Sequence, residues 1–275
     1  MTDRRLTPAN ERVAAAHLQG QVEALSYVEG AARQLAAPFA DLNRAPKGRR
    51  DRQLQRGDAV TVFEDREGSA FVQSVKDGYV GYLASDSLTD PSAPNYRVAV
   101  RSTHVYAMPN FKSDDLMALG FGAKLRVLYE EKTFFAVEGG FVPKPHLRPL
   151  EQPFKDPVTL AQLHFGSPYL WGGNTVWGLD CSGLVQAALH ACDIACPGDS
   201  DMQQEALGDA LPDDAPLQRG DLIFWQGHVG MMVDAETMIH ANAHHMAVAY
   251  EPIKTAIARI QAQGDGPVTA RKRLR

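Results

Sequence analysis

Cysteine is scarce in this sequence: three in 275 residues, at positions 181, 192 and 196. That odd number, without framework spacing, excludes a disulfide-stapled scaffold and gives no sign of an oxidising compartment. Long apolar runs are missing as well. No stretch reaches the roughly 18 apolar residues of a membrane-spanning helix, and residues 1–8 are polar and lead into no apolar core of secretory length. The expectation is a cytoplasmic protein with no membrane partner. Neither sign of charge is in excess, since 28 Lys and Arg stand against 33 Asp and Glu for a net −5. Nothing therefore favours nucleic acid or anionic lipid, and the basic residues 271–275 read as a solvated terminus. What remains is a soluble chain long enough for two or three small domains, each with a modest core.

The informative chemistry is concentrated at residues 168–186, which begin as a glycine-rich turn and end as the start of a helix. Asp180 reads as an N-cap. Leu184, Val185, Ala188 and Leu189 give the spacing of a buried helical stripe, which puts Cys181 at the first helical position. A thiol there sits on orphan amides at the positive end of the helix. Such sites favour thiolate and can lower a cysteine pKa from about 8.5 to roughly 3.5–7.5; the plainer alternative is a small buried hydrophobe. Downstream, 220–225 reads as a strand, Gln226-Gly227 as a tight turn, 228–233 as a returning strand that starts at His228, and 237–242 as a third strand carrying His240. Adjacent antiparallel strands could set the two imidazoles side by side. A nucleophile needs a base, and the base needs a group to orient it; Cys181, His228 and His240 supply all three.

Together these residues resemble the NlpC-type cell-wall peptidases, which are papain-like cysteine enzymes. The matching pieces, in family order, are Tyr169-Leu170-Trp171-Gly172-Gly173, Asp180-Cys181-Ser182-Gly183-Leu184-Val185, Gly220-Asp221-Leu222-Ile223-Phe224, His228-Val229-Gly230 and Ile239-His240-Ala241. The resemblance covers roughly residues 153–275 and implies an α+β papain-like catalytic domain there, with Cys181 as nucleophile, His228 as base and His240 orienting it. It further implies that Tyr169 lines the cleft, where its hydroxyl could join the Cys181 backbone N–H in stabilising an oxyanion. Trp171 reads equally as a substrate wall or as packing under its loop. No cofactor or metal is expected: Cys192 and Cys196, even with His244 and His245, lack the spacing of a structural zinc site.

Upstream, residues 10–35 have a helical flavour interrupted by Gly20 and Gly30, and 38–52 are rich in proline, asparagine and basic residues, so 1–46 reads as a helical lead-in and linker. From Gly57 the texture changes to short strands: 58–63, 70–75, a turn at Asp77-Gly78, and 79–83. A second block repeats the plan at 122–128, 133–137, Gly139-Gly140 and 141–143. Each block closes on an apolar residue, Leu88 or Leu147. Two copies of this plan read as two small all-β barrels, 47–92 and 96–150, which look like bacterial SH3 domains.

Two such barrels ahead of an NlpC-type domain at 153–275 resemble γ-D-glutamyl-L-diamino-acid endopeptidases acting on peptidoglycan stem peptides. That resemblance implies a peptidoglycan-derived peptide substrate with a free N-terminal L-alanine, as in murein peptide recycling. Its ammonium would be held by Asp180 and Ser182 with an acid and a tyrosine of the first barrel, either Asp58 and Tyr79 or Glu64 and Tyr82. A peptide without that cation would leave a buried carboxylate unpaired, so the penalty on wrong substrates would set selectivity. Two other readings stay open, a non-catalytic peptide-binding SH3 module and a papain-like amidase or acyltransferase. No motif speaks to the identity of the diamino acid or to oligomeric state.

Overall fold

The computed structural model describes residues 3–274 and divides into two compact units, Met1–Gln152 and Pro153–Arg275. Among the described residues no helix is long and apolar enough to cross a membrane.

The first unit is built from strands. Its seven-stranded sheet takes the strands Ala31–Leu35, Phe39–Asn43, Arg50–Gln55, Ala59–Arg66, Ser69–Ser74, Val80–Ala84 and Leu88–Thr89. Arg50–Gln55 lies at one edge and Leu88–Thr89 at the other, so the hydrogen-bonded ladder stays open. The second block forms a five-stranded sheet from residues 102–143 and a three-stranded one that joins Tyr96–Val98, Lys124–Leu125 and Leu147–Pro149. Both blocks enter the closing strand through a short 3-10 turn, Ser85–Ser87 in one and Lys144–His146 in the other.

Two expectations for the amino-terminal region are corrected. Residues 10–35 are not helical: they form the strands Val13–Ala15, Ser26–Val28 and Ala31–Leu35 with one 3-10 turn between. Val13, Ala14 and Ala15 are buried in succession rather than at helical spacing, and Gly20 and Gly30 take positive φ, 81° and 79°, which breaks any helical run. Residues 38–52 are not a linker either. They hold the strands Phe39–Asn43 and Arg50–Gln55, paired antiparallel with Leu42 and Leu54 in the core. The first SH3-like lobe therefore starts near residue 31, well before position 47.

The second unit is a six-stranded sheet with helices α1 (Pro157–Leu163), α2 (Cys181–Ala191), α3 (Ser200–Ala206) and α4 (Ile253–Gln263). The sheet runs in the order Asp209–Ala210, Ala270–Arg273, Leu222–Trp225, His228–Met232, Thr237–Asn242, Ala247–Pro252. Nine of the eleven residues of α2 are buried, the condition of a helix enclosed on nearly every side rather than one lying on a surface. Helix α4 sets Ile253, Ala256 and Ile260 against Ile223, Trp225, Met232 and Met238 of the sheet. These packings fix α2 and three consecutive strands, which between them carry the site.

Candidate active site

The turn before α2 is tied down by one carboxylate. Asp180 caps the helix as its sequence position predicts, accepting from the Gly183 N–H at 2.6 Å and from the Ser182 hydroxyl at 3.0 Å on Oδ1. Its Oδ2 accepts from the Gly172 N–H at 3.0 Å, across a turn whose Gly172 needs φ of 70°. Glycine at 183 has a different cause, because a Cβ there would run into the carbonyl oxygen of Gly173. Asp180 and Ser182, the expected ammonium ligands beside the nucleophile, are thus bonded to each other within the turn.

Cys181 is the first residue of α2, 8% exposed. Its Sγ lies 3.9 Å from the carbonyl oxygen of Gly227, the residue before His228. Strands Leu222–Trp225 and His228–Met232 form the expected hairpin, with Trp225 opposite His228 and Gly227 in the turn at φ of 75°. On the next strand Met231 faces Ile239 and Met232 faces Met238. That register puts His228 and His240 on one face as diagonal neighbours, a spacing long side chains can bridge. They meet at 2.9 Å, His228 Nε2 to His240 Nδ1.

The row continues onto a third strand. Met238 faces Glu251, which makes Glu251 the next diagonal neighbour, and His240 Nε2 is 3.1 Å from Glu251 Oε2. Arg259 of α4 closes on both carboxylate oxygens at 2.9 and 2.7 Å. Burial pushes the His228 pKa down to about 3, with His240 and Arg259 acting the same way. Burial also lowers His240, against the pull of Glu251. Glu251 itself stays well below the usual carboxylate range: Arg259 and His240 outweigh the burial that opposes them. The sequence reading missed both Glu251 and Arg259. An alternating strand at 247–252 was the available signal, but only the register says which of its residues shares a face with His240.

Beside His228 opens a cavity of about 260 Å³, lined among others by Tyr169, Trp171, His244, Arg259 and Asp265. Burial, then the neighbouring Cys181 and Asp180, push the Tyr169 phenol up, so it stays a hydrogen-bond donor at any working pH. Trp171 is 73% exposed and forms a wall of this cavity rather than packing beneath its loop. A thiol at a helix N-terminus, a neutral imidazole on the residue after the Gly227 carbonyl that the thiol approaches, and a phenol donor are the groups that can take up a proton and support a developing oxyanion. For a metal, His240, His245 and Glu251 bring ligand atoms within 4.8 Å of one another, but His240 and Glu251 are bonded to each other and Glu251 to Arg259.

Asp58, Glu64, Tyr79 and Tyr82 belong to the first unit. Asp58 is 4% exposed, and its carboxylate accepts from Lys76 Nζ at 2.7 Å, Lys124 Nζ at 3.2 Å and the Gln55 N–H at 3.0 Å. Burial alone would raise its pKa, yet the two lysines hold it far below the usual range. Its charge is already matched twice over, and Tyr79 is 2% exposed. Glu64 is engaged by Arg12 at 2.7 and 2.6 Å, and Asn10 joins it to the Tyr82 hydroxyl. Neither acid stands ready without displacing an ion-pair partner.

Residues 166–262 match the family model described as NlpC/P60 family, and residues 42–88 match that of the bacterial dipeptidyl-peptidase Sh3 domain. A γ-D-glutamyl-L-lysine dipeptidyl-peptidase of Bacillus cereus is 26% identical over 207 residues, covering 66% of this chain and 61% of the relative. A protein of the same name in Bacillus subtilis is 27% identical over 181 residues, covering 60% of each chain. The chain thus spans about six-tenths of the length of these curated relatives. In structure it resembles an NlpC/P60 family protein of Bacillus cereus at a TM-score of 0.74 and 20% identity, covering 89% of this chain and 99% of that one. The fold is an α+β domain of that type preceded by SH3-like all-β structure.

Proposed function

The chain carries an NlpC/P60 peptidase-family domain behind a bacterial Sh3 domain, and we propose that it is a cysteine endopeptidase hydrolysing the γ-D-glutamyl-L-diamino-acid bond of peptidoglycan stem peptides. One observation carries the reading: a cysteine at the N-terminus of a buried helix lies 3.9 Å from Gly227, next to a histidine bonded to a second histidine. The names of the two Bacillus relatives support the choice of bond.

His228 takes the thiol proton and the Cys181 sulfur attacks the γ-glutamyl carbonyl carbon. The Cys181 N–H and the Tyr169 hydroxyl stabilise the oxyanion. As the C–N bond breaks, His228 returns the proton to the departing amine, leaving a thioester. Water, deprotonated by His228, then attacks the thioester and releases the acid and the free thiol. His240 orients His228 throughout. A preference for a free N-terminal L-alanine, and a place in recycling wall peptides inside the cell, complete the proposal.

The test is mass spectrometry of L-Ala-γ-D-Glu-diamino-acid peptides incubated with the full chain. Release of the diamino acid by wild type and none by Cys181→Ala is expected; equal rates would overturn the peptidase reading. Equal cleavage of N-acetylated and free peptides would remove the free-amine preference alone.

A further inference from the structure

The bonded row from His228 to α4 fixes where its protons sit. A carboxylate held in a guanidinium fork is ionised and can only accept hydrogen bonds. Glu251 Oε2, at 3.1 Å, therefore requires the proton of neutral His240 on Nε2. The Nδ1 of His240 is then a lone pair, and its partner at 2.9 Å, His228 Nε2, must carry a hydrogen. A neutral His228 protonated on Nε2 has one basic nitrogen left, Nδ1.

We propose that Glu251 and Arg259 are positioning residues of the reaction: from beyond His240 they hold both imidazoles in the Nε2–H tautomer, which leaves His228 Nδ1 as the acceptor for the Cys181 proton. The role rests on the reading of Cys181 and His228 as nucleophile and base. Without Glu251, His240 is free to carry its proton on Nδ1. It would then confront the His228 N–H, or drive His228 into the tautomer whose Nδ1 is already protonated and cannot serve as base. Holding a histidine base in the right tautomer is worth orders of magnitude in rate elsewhere.

Arg259 is needed because its fork engages both carboxylate oxygens, and that grip keeps Oε2 aimed at His240 Nε2. The guanidinium suits the task, since its planar fork meets both oxygens at once where a lysine would meet one. Its third nitrogen, Nη1, donates to Gln263 Oε1 at 2.8 Å one helical turn on. The neighbouring Ile260 is packed into the sheet face of α4, so the helix core holds the guanidinium in place. The sheet supplies Glu251 and the helix supplies Arg259.

The charged and titratable groups around the row give its signs. His228 feels His240, Arg259 and Glu251 and shares its cavity with His244 and Asp265, while Cys181 Sγ approaches the carbonyl of the preceding Gly227; His240 feels Glu251, Arg259 and His245 and is bonded to His228. Glu251 raises the affinity of both rings for protons and Arg259 lowers it. Removing the carboxylate moves the acid limb of the kcat/KM profile to lower pH, and removing the guanidinium moves it to higher pH. A pair that merely braces the fold would give no such opposed displacement.

Two measurements on the full chain test this. Long-range nitrogen–proton NMR of the histidine rings in Cys181→Ala at neutral pH should show Nε2–H for both His228 and His240. The pH profiles of wild type, Glu251→Gln and Arg259→Met, on L-Ala-γ-D-Glu-L-Lys, should show the two opposed shifts. They should also show kcat reduced about 10- to 100-fold in Glu251→Gln with KM much less affected. An Nδ1–H tautomer at either ring, or profiles that stay put or move the same way, overturns the proposal. Should either variant fail to fold, the tautomers in Cys181→Ala decide. An active wild type with the wrong tautomers overturns the positioning pair alone, whereas an inactive wild type with the stated tautomers overturns the peptidase reading.

Discussion

Asp180 does several jobs with one carboxylate, and its bonds separate them. Two of its contacts, with Gly183 and Ser182, are those of a helix cap, and the third reaches back to Gly172 to pin the turn. Asparagine caps about as well as aspartate. In Asp180→Asn, however, one carboxylate oxygen becomes an NH2 group, which faces either the Gly172 or the Gly183 N–H and leaves a buried donor unmatched, at about 1–3 kcal/mol. Denaturant titration should show that loss. The proposal adds a second effect: the variant should raise KM for free-amine peptides by more than for acetylated ones, because a charge near the ammonium is gone. A folded Asp180→Asn with unchanged kinetics on both peptides would return Asp180 to capping alone.

At the scale of elements, the join between α2 and the turn before it is made by a missing side chain. A Cβ at 183 would strike the Gly173 carbonyl, which is backbone and cannot swing aside. Gly183→Ala should therefore destabilise the chain by about 1–3 kcal/mol despite alanine's better helix propensity, and should impair hydrolysis through displacement of Cys181. A variant as stable and as active as wild type would show the contact to be loose. This element was legible in the sequence because its cap, stripe and flanking glycines are local signals, and so was the hairpin that starts at His228. The pairing of His240 with His228 was legible as a possibility, from a third strand at 237–242 and from the family resemblance. Glu251 was not, since its place beside His240 depends on register between two strands, and Arg259 depends on how α4 lies on the sheet. Residues 10–35 misled because alanine and leucine carry helical preference while Gly20 and Gly30 and the pairing of neighbouring strands decide the outcome. Asp58 stood in a segment that matched by pattern, but which cations would reach it, Lys76 and Lys124, came only with the packed unit.

At the scale of the whole molecule, the two units should answer differently to acid. His228 has a folded pKa of about 3 against an ordinary 6.5, and His240 is lowered too. A group with a depressed folded pKa contributes stability that is present above its unfolded pKa and is lost as pH falls toward the folded one. Each such histidine then removes up to about 1.4 kcal/mol per pH unit. The loss from His228 accordingly runs from about pH 6.5 down to about 3. The first unit has one histidine of this kind, His146, lowered by burial and by His104. Its carboxylates Asp58 and Glu64 are held below the ordinary values of 3.8 and 4.5 for such groups, by Lys76 and Lys124 in one case and by Arg12 in the other, so they matter only under stronger acid. All three tryptophans, Trp171, Trp177 and Trp225, lie in the second unit, and their fluorescence follows that unit alone. The urea midpoint read from tryptophan should fall steadily between pH 7 and pH 5. His228→Gln, which removes the titrating ring, should flatten that slope. A tryptophan midpoint that is the same at both pH values, or a slope untouched in His228→Gln, would mean that the buried histidine row does not govern the acid stability of the unit that carries it.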